Sequence, residues 1–321
     1  MQQRANSVGV GIVGLGLMGT RMAGALAKHD RFQVRAGFDA DAGLSRSWCD
    51  EQGARVAASA RALIEDERVD LVYIATPPAS HVALALHALA CHKPVLVEKP
   101  LAVDLAEAQE LTRAVQASRG RLWMHFPFAT LPGLVQAQAD LGTTRMGAAQ
   151  RVEIVLQFSQ WPRTWHHAGP WLAGPTEGGF CREVLSHFVY LTQTLLGPLV
   201  CTHKDVAWGP EGTETRVNAQ FLAGDVPVAL MAGVAGGAPD NNRWTLFGEQ
   251  RSLRVEDWSQ VSWGDGQGWH SEQAQLGRGA GLGPFLDQLS RALDGDSHVL
   301  PDAQAGYHVM RTVESLLARE G

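Results

Sequence analysis

The chain has 321 residues, enough for two domains at about 150 residues each, and its 45% hydrophobic and 19% charged content is too apolar for disorder. A net charge of −6 excludes the chain-wide basic footprint of a nucleic-acid binder. The 35 glycines carry no G-X-Y period, which excludes collagen and points to tight turns and close approach of backbone to a ligand.

Residues 5–20 carry no charge, but sixteen residues are short for a membrane span, and the glycines suit neither a span nor a signal peptide. They read as a strand at 8–13 followed by a glycine turn at 14–19. Strand–helix alternation then continues. Strands are expected at 33–38, 56–57, 71–75, 94–97 and 122–124. Helices are expected at 20–28, 44–52, 60–66 and 79–91, and from the capping residue Asp104 to about 117. Such alternation implies a parallel sheet with helices on both faces. After about residue 125 longer strands follow one another, at 150–158, 215–222, 226–234, 243–247 and 252–255, with turn residues between them. That pattern reads as an antiparallel sheet. A helix at 182–196 interrupts it, and helices at 283–293 and 301–319 close the chain. The expected division is 1–124 and 125–321.

Four cysteines (Cys49, Cys91, Cys181 and Cys201) lie far apart with no C-x-x-C pair. This argues against a zinc ribbon, a redox dithiol or a disulfide scaffold, and fits free thiols in a cytoplasmic protein.

The first chemical motif is Gly14-x-Gly16-x-x-Gly19, placed between a strand and a helix. Gly14 permits a tight turn, Gly16 lets backbone approach a pyrophosphate, and Gly19 packs helix against strand. The intervening Leu17 and Met18 open the helix whose N–H groups would face the phosphates. Asp39, about 20 residues past Gly19, ends the second strand, where a carboxylate accepts both ribose hydroxyls and repels a 2′-phosphate. NAD is therefore expected, with NADP possible because Arg46 lies nearby. Thr76-Pro77-Pro78 follows the fourth strand, and Glu98-Lys99-Pro100 follows the Val95-Leu96-Val97 strand. In a sheet of this kind both segments line the ligand crevice. A lysine there can donate to a substrate oxygen or share in proton transfer.

In this order and spacing the GxGxxG, T-P and E-K-P segments resemble the Gfo/Idh/MocA family of NAD(P)-dependent oxidoreductases along the length of the chain. The resemblance implies a Rossmann-type doubly wound parallel sheet, followed by an α+β domain with an open, mainly antiparallel sheet. It implies that Lys99 is the catalytic-site lysine and that Thr76, Pro77, His81, Glu98 and Lys99 join the cofactor set. The family's second signature is a glycine-rich turn, then Asp and, four residues on, His or Tyr. Here Gly178-Gly179 precedes Glu183, in place of Asp, and His187. One helix face would carry both. An imidazole can exchange a proton as hydride moves, and Glu183 could orient it or hold a substrate hydroxyl. His125-Phe126-Pro127 departs from the Asn-Arg type segment of many members.

The loop Trp161-Pro162-Arg163-Thr164-Trp165-His166-His167 is rich in aromatic and cationic side chains. Trp161 and Trp165 could stack on a substrate ring, and Arg163 could pair with a carboxylate. Adjacent histidines make a poor clamp on an extended strand and no zinc spacing is present, so no metal is expected.

The expected activity is hydride transfer between nicotinamide and a hydroxyl or carbonyl carbon of a sugar, polyol, inositol or related small molecule. No nucleic-acid or membrane partner is expected. The second sheet is expected to form a homodimer or homotetramer, with 226–231 apolar enough for the interface. Two alternatives stay open. One is a non-catalytic NAD(P)-sensing regulator, which would need Gly14–Gly19 and Asp39 but neither Lys99 nor His187. The other is redox-assisted hydrolysis or elimination on the same fold.

Overall fold

The computed structural model describes residues 7–163, 169–234, 236–237, 239–271 and 282–319. Two compact units result: Met1–Phe126 with Gly281–Tyr307, and Pro127–Ala280 with His308–Gly321.

The first unit alternates strand and helix. Its elements are β1 (Val8–Val13), α1 (Leu17–Leu26), β2 (Phe32–Phe38), α2 (Ala42–Gln52), β3 (Arg55–Val56), α3 (Ala60–Ile64), β4 (Leu71–Ile74), α4 (His81–Ala90), β5 (Val95–Val97), α5 (Leu105–Ser118) and β6 (Leu122–Met124). The strands form a parallel sheet in the order β3-β2-β1-β4-β5-β6. Every residue of β4 and β5 is buried, which is why these strands read as unbroken apolar runs. Local chemistry sets the helix ends. Asp41 accepts the N–H groups of Gly43 and Leu44 at the start of α2, and Asp104 accepts that of Glu107 at the start of α5. Gly53, at φ 61°, ends α2 in the left-handed conformation.

The second unit contains α6 (Pro132–Asp140), β7 (Ala149–Phe158), a π-helical turn (Cys181–Leu185), α7 (Ser186–Leu196), β8 (Leu199–Trp208), β9 (Glu214–Ala223), β10 (Val226–Val234), β11 (Asn241–Gly248), β12 (Ser252–Glu256), β13 (Gln260–Gly264) and β14 (Trp269–Ser271). These strands form a sheet in the order β14-β13-β12-β11-β7-β10-β9-β8, in which β7 and β10 are the parallel pair and every other pair is antiparallel. Alternation sorts its faces: Val217, Ala219 and Phe221 of β9 point to the core, while Arg216, Gln220 and Leu222 point outward.

The single boundary expected after residue 124 is corrected by the last helices. After α8 (Gly283–Asp294) comes α9 (Ala303–Leu317), and α8 with the start of α9 belongs to the first unit. Phe285, Leu286, Leu289 and Ala292 of α8 pack in one core with Val10, Ile12, Leu71, Tyr73 and Leu96. An apolar helix stripe must find a sheet face to cover, and distance along the chain does not oppose it.

Elements absent from the sequence expectation are α6, β8, β13 and β14. The edge strand β8 is mostly solvent-accessible and irregular in register, so its alternation is masked. In α6, a Cβ on Gly133 would lie 2.5 Å from Val261, so this glycine serves close packing on β13 that no local periodicity encodes. The helix expected to run unbroken over 182–196 begins instead with the π-helical turn.

Trp244 of β11 is fully buried and donates through its indole N–H to Thr192 Oγ1 of α7 at 2.9 Å, which ties the sheet to this helix. Thr192→Val leaves that N–H buried and unsatisfied. The expected loss is roughly 1–3 kcal/mol of stability, measured as a lower urea midpoint with an unchanged slope.

Candidate active site

Because the first sheet is parallel, the segments after β1, β2, β4 and β5 emerge along one edge. Gly14 follows β1 with φ 92°, and a Cβ there would meet Ala75 O at 2.5 Å and Thr76 N at 2.7 Å. A Cβ on Gly19 would meet Gly14 O at 2.1 Å, so α1 could not close on the turn with any larger residue. Gly16 differs: a Cβ there would meet nothing within 4 Å, so its freedom serves an approach from outside. Gly16 is also the N-cap of α1 and supplies no side-chain cap, which leaves the first N–H groups, those of Leu17 and Met18 among them, facing outward. Leu17 is 49% exposed. This cradle suits a dinucleotide pyrophosphate on geometric grounds.

Asp39 lies beside the turn. One carboxylate oxygen accepts Leu15 N–H at 2.9 Å and the other accepts Asp41 N–H at 3.0 Å, while Ser45 Oγ holds its backbone. The carboxylate is thus pinned at the tip of β2. Arg46 is exposed on α2.

The Thr76-Pro77 and Glu98-Lys99-Pro100 segments are joined by His81. Its Nδ1 lies 2.8 Å from Pro100 O and its Nε2 2.9 Å from Thr76 O. The ring is 0% exposed, and burial holds the imidazole below its usual range although the two carbonyls push it up. His81 therefore departs from the expected cofactor contact, because both ring nitrogens face backbone carbonyls, one of them as the N–H donor, and the side chain is fully buried. Glu98 departs in the same direction. It is buried, and its Oε1 accepts Tyr73 Oη at 2.5 Å and faces His125 Nδ1 at 2.7 Å. Burial alone would raise the Glu98 carboxyl; His125, the Tyr73 hydroxyl and Lys99 together bring it below the usual range. Burial, then Glu98, raises the Tyr73 hydroxyl well above its usual range, so it remains a donor. Lys99 is half-buried directly after this network, and Pro77 is exposed.

In the second unit, Gly179 at φ 95° allows the turn before the π-helical segment, and a Cβ there would lie 2.5 Å from the Glu214 carboxylate. Glu214 is buried and accepts Cys181 N–H at 2.6 Å; burial raises its carboxyl, opposed by that bond. Arg182 pairs with both oxygens of Glu314 at 2.7 and 2.9 Å. The segment carrying Glu183 is therefore held at its start by two polar anchors. Arg163 lies close enough to Glu183 and Asp240 for their charges to raise its guanidinium, although burial dominates and lowers it. Arg163 also sits over the rings of Phe158 and Trp161, at 5.6 and 5.5 Å. Trp161 itself packs on Phe158 and Phe180 and donates to Leu172 O at 3.1 Å, so it builds the base of its loop. His187 of α7 is 8% exposed, with Phe128 at 6.1 Å and Trp258 at 5.4 Å, both edge-to-face. Trp165, His166 and His167 lie outside the described residues. Among the described residues, no group of three or more His, Cys, Asp or Glu is placed to hold a metal.

Sequence reasoning passed over Tyr73, Glu214 and Trp258, and read His125 only as a departure. Tyr73 gave a faint signal as a hydroxyl in an otherwise aliphatic strand. The others meet their partners only through tertiary contacts.

A glycine cradle at the carboxyl edge of a parallel sheet, with a lysine on the same edge and a second mainly antiparallel unit, is a dinucleotide-binding architecture. Residues 8–126 match the Gfo/Idh/MocA family model, described as "Oxidoreductase family, NAD-binding Rossmann fold". The chain is similar to Oxidoreductase P35 of Formosa agariphila, 33% identical over 61% of this chain and 62% of that one. It is also similar to Inositol 2-dehydrogenase 1 of Saccharopolyspora erythraea, 38% identical over 36% of this chain and 35% of that one. These alignments thus span less than two thirds of either relative. The fold is shared with the WlbA dehydrogenase of Bordetella pertussis, solved with NADH and UDP-GlcNAcA (TM-score 0.82, 20% identity, 97% of this chain and 95% of that one). Among the described residues no helix is long and apolar enough to cross a membrane.

Gly14→Ala places a methyl group against the Ala75 carbonyl at a backbone angle that L residues avoid. Fluorescence titration should show NADH affinity reduced by about tenfold or more, with the circular dichroism spectrum retained.

Proposed function

We propose that the chain is an NAD(P)-dependent dehydrogenase or reductase acting on a hydroxyl or carbonyl carbon of a sugar, polyol, inositol or related compound. The observation that carries this reading is Lys99 at the end of β5, on the same sheet edge as the Gly14–Gly19 cradle. The names of the inositol dehydrogenase relative and of the sugar-nucleotide-bound structure support the substrate class.

Bound nicotinamide would supply the hydride acceptor or donor. Gly16, Leu17 and Met18 bind the pyrophosphate through backbone, and the pinned Asp39 carboxylate accepts the ribose hydroxyls and favours NAD over NADP. Lys99 donates to the substrate oxygen and so polarises its carbon, while His187 takes or returns the hydroxyl proton. Glu183 accepts a substrate hydroxyl, and Arg163 beside it donates to a neighbouring oxygen. His81 and Glu98 hold the two loops of the cofactor edge from within.

Self-association through the second sheet belongs to the same reading. Val200, Leu222 and Met231 are 63%, 40% and 64% exposed on its outer face, and Leu222 pairs in register with both Val200 and Pro227. A strip of this kind suits a second copy. Light scattering should give at least a dimer for the wild type and a smaller species for Met231→Glu.

The catalytic roles are tested on a screen of myo-inositol, aldoses and linear polyols with each cofactor. Lys99→Ala and His187→Ala should each lower turnover by about 10²–10⁴-fold while NADH affinity stays within about twofold. Full activity in either variant removes that residue from the mechanism. Asp39→Ser should shift preference toward NADPH by roughly tenfold, and an unchanged preference means the ribose contact lies elsewhere.

A further inference from the structure

The turn joining β12 to β13 contains two consecutive residues in the left-handed region, Asp257 at φ 46° and Trp258 at φ 68°. Glycine, asparagine and aspartate enter this region readily, whereas a bulky side chain there is an outlier. The surrounding structure nevertheless enforces it. Asn242, buried at the start of β11, accepts Trp258 N–H on its side-chain oxygen at 3.0 Å and Asp257 N–H on its backbone oxygen at 3.2 Å. The strain serves to place the indole. Its ring stands at 87° to the His187 imidazole with centroids 5.4 Å apart, and it also meets Phe128 at 6.0 Å and Phe188 at 5.8 Å.

We infer that Trp258 is a positioning residue that, held by Asn242, fixes the plane of the His187 imidazole for proton exchange with substrate. This rests on the role proposed above for His187. The terminal torsion of a histidine is broad, so helix α7 by itself places the ring without orienting it. Two edge-to-face contacts, from Trp258 on one element and Phe128 on another, remove that freedom. A turn that needed only its backbone shape would be better served by glycine, so the tryptophan and the geometry it strains belong together.

Trp258→Gly removes the indole and relieves the backbone, Trp258→Phe keeps an aromatic wall, and Trp258→Leu keeps apolar bulk should the glycine variant fail to fold. Two readouts are taken. The ring resonances of His187 are followed by NMR on histidine-labelled protein, assigned by their loss in His187→Asn. Oxidation of myo-inositol is followed as NADH formation. In Trp258→Gly or Trp258→Leu the His187 ring resonances should move, and kcat should fall by about tenfold or more with KM and NADH affinity little changed; Trp258→Phe should restore most of both. Folded variants with wild-type His187 resonances overturn the inference, also if the wild type leaves myo-inositol unreacted. Moved resonances with wild-type kcat overturn it as well. Full turnover in His187→Asn removes the role of His187 itself and the inference with it, a result distinguishable from failure of the positioning alone.

Discussion

Parallel strands share a single carboxyl edge, and the chemistry of the first unit depends on this. Gly14, Asp39, Thr76 and Lys99 lie far apart in the chain, yet each follows a strand of the same sheet, so strand direction alone brings them to one side. The Gly14 turn then passes so close to Ala75 and Thr76 that no side chain fits between them. The cradle and the loop after β4 are therefore one packed object, and a displacement of either is felt by the other.

Behind that edge the polar groups are arranged to hold backbone in place. His81 bridges the carbonyls of Thr76 and Pro100, and Glu98 gathers the Tyr73 hydroxyl and the His125 ring on one oxygen. A carboxylate buried to this depth is tolerated only with such partners, and removing one partner of a buried charged pair typically costs about 3–5 kcal/mol. Among the described residues the buried His125 Nε2 has no hydrogen-bond partner, and the ring meets Phe285 edge-on at 4.9 Å. Lys99 thus follows a residue that is rigidly held, which suits a group that must meet a reacting oxygen at a defined distance.

The second unit meets a comparable demand by different means. Glu214 occupies the space that a side chain at residue 179 would need, Arg182 is clamped by Glu314, and the π-helical turn between them carries Glu183 before α7 begins. Such turns are uncommon and recur at functional sites, because the extra residue in the turn redirects side chains. The buried Trp244–Thr192 bond anchors the following helix to the sheet, and Trp258 addresses the ring of His187 from a strained turn.

Most of the first unit was legible in the sequence because its signals are local: apolar runs of strand length, capping aspartates at 41 and 104, and glycines at fixed offsets. The lysine after β5 was legible for the same reason. The edge strand β8 and helix α6 were not, since an exposed strand shows little alternation and Gly133 is explained only by Val261 across the fold. The sequence by itself determined the order of the elements from β1 to β6, the dinucleotide motif and the candidate residues Asp39, Lys99, Glu183 and His187. Only the tertiary structure decided that His81 and Glu98 face inward, that α8 returns to the first core, and that Trp258, bonded to Asn242, packs edge-on against His187. Motifs and periodicity report what neighbours along the chain can do, whereas burial and orientation depend on partners that folding brings from distant positions.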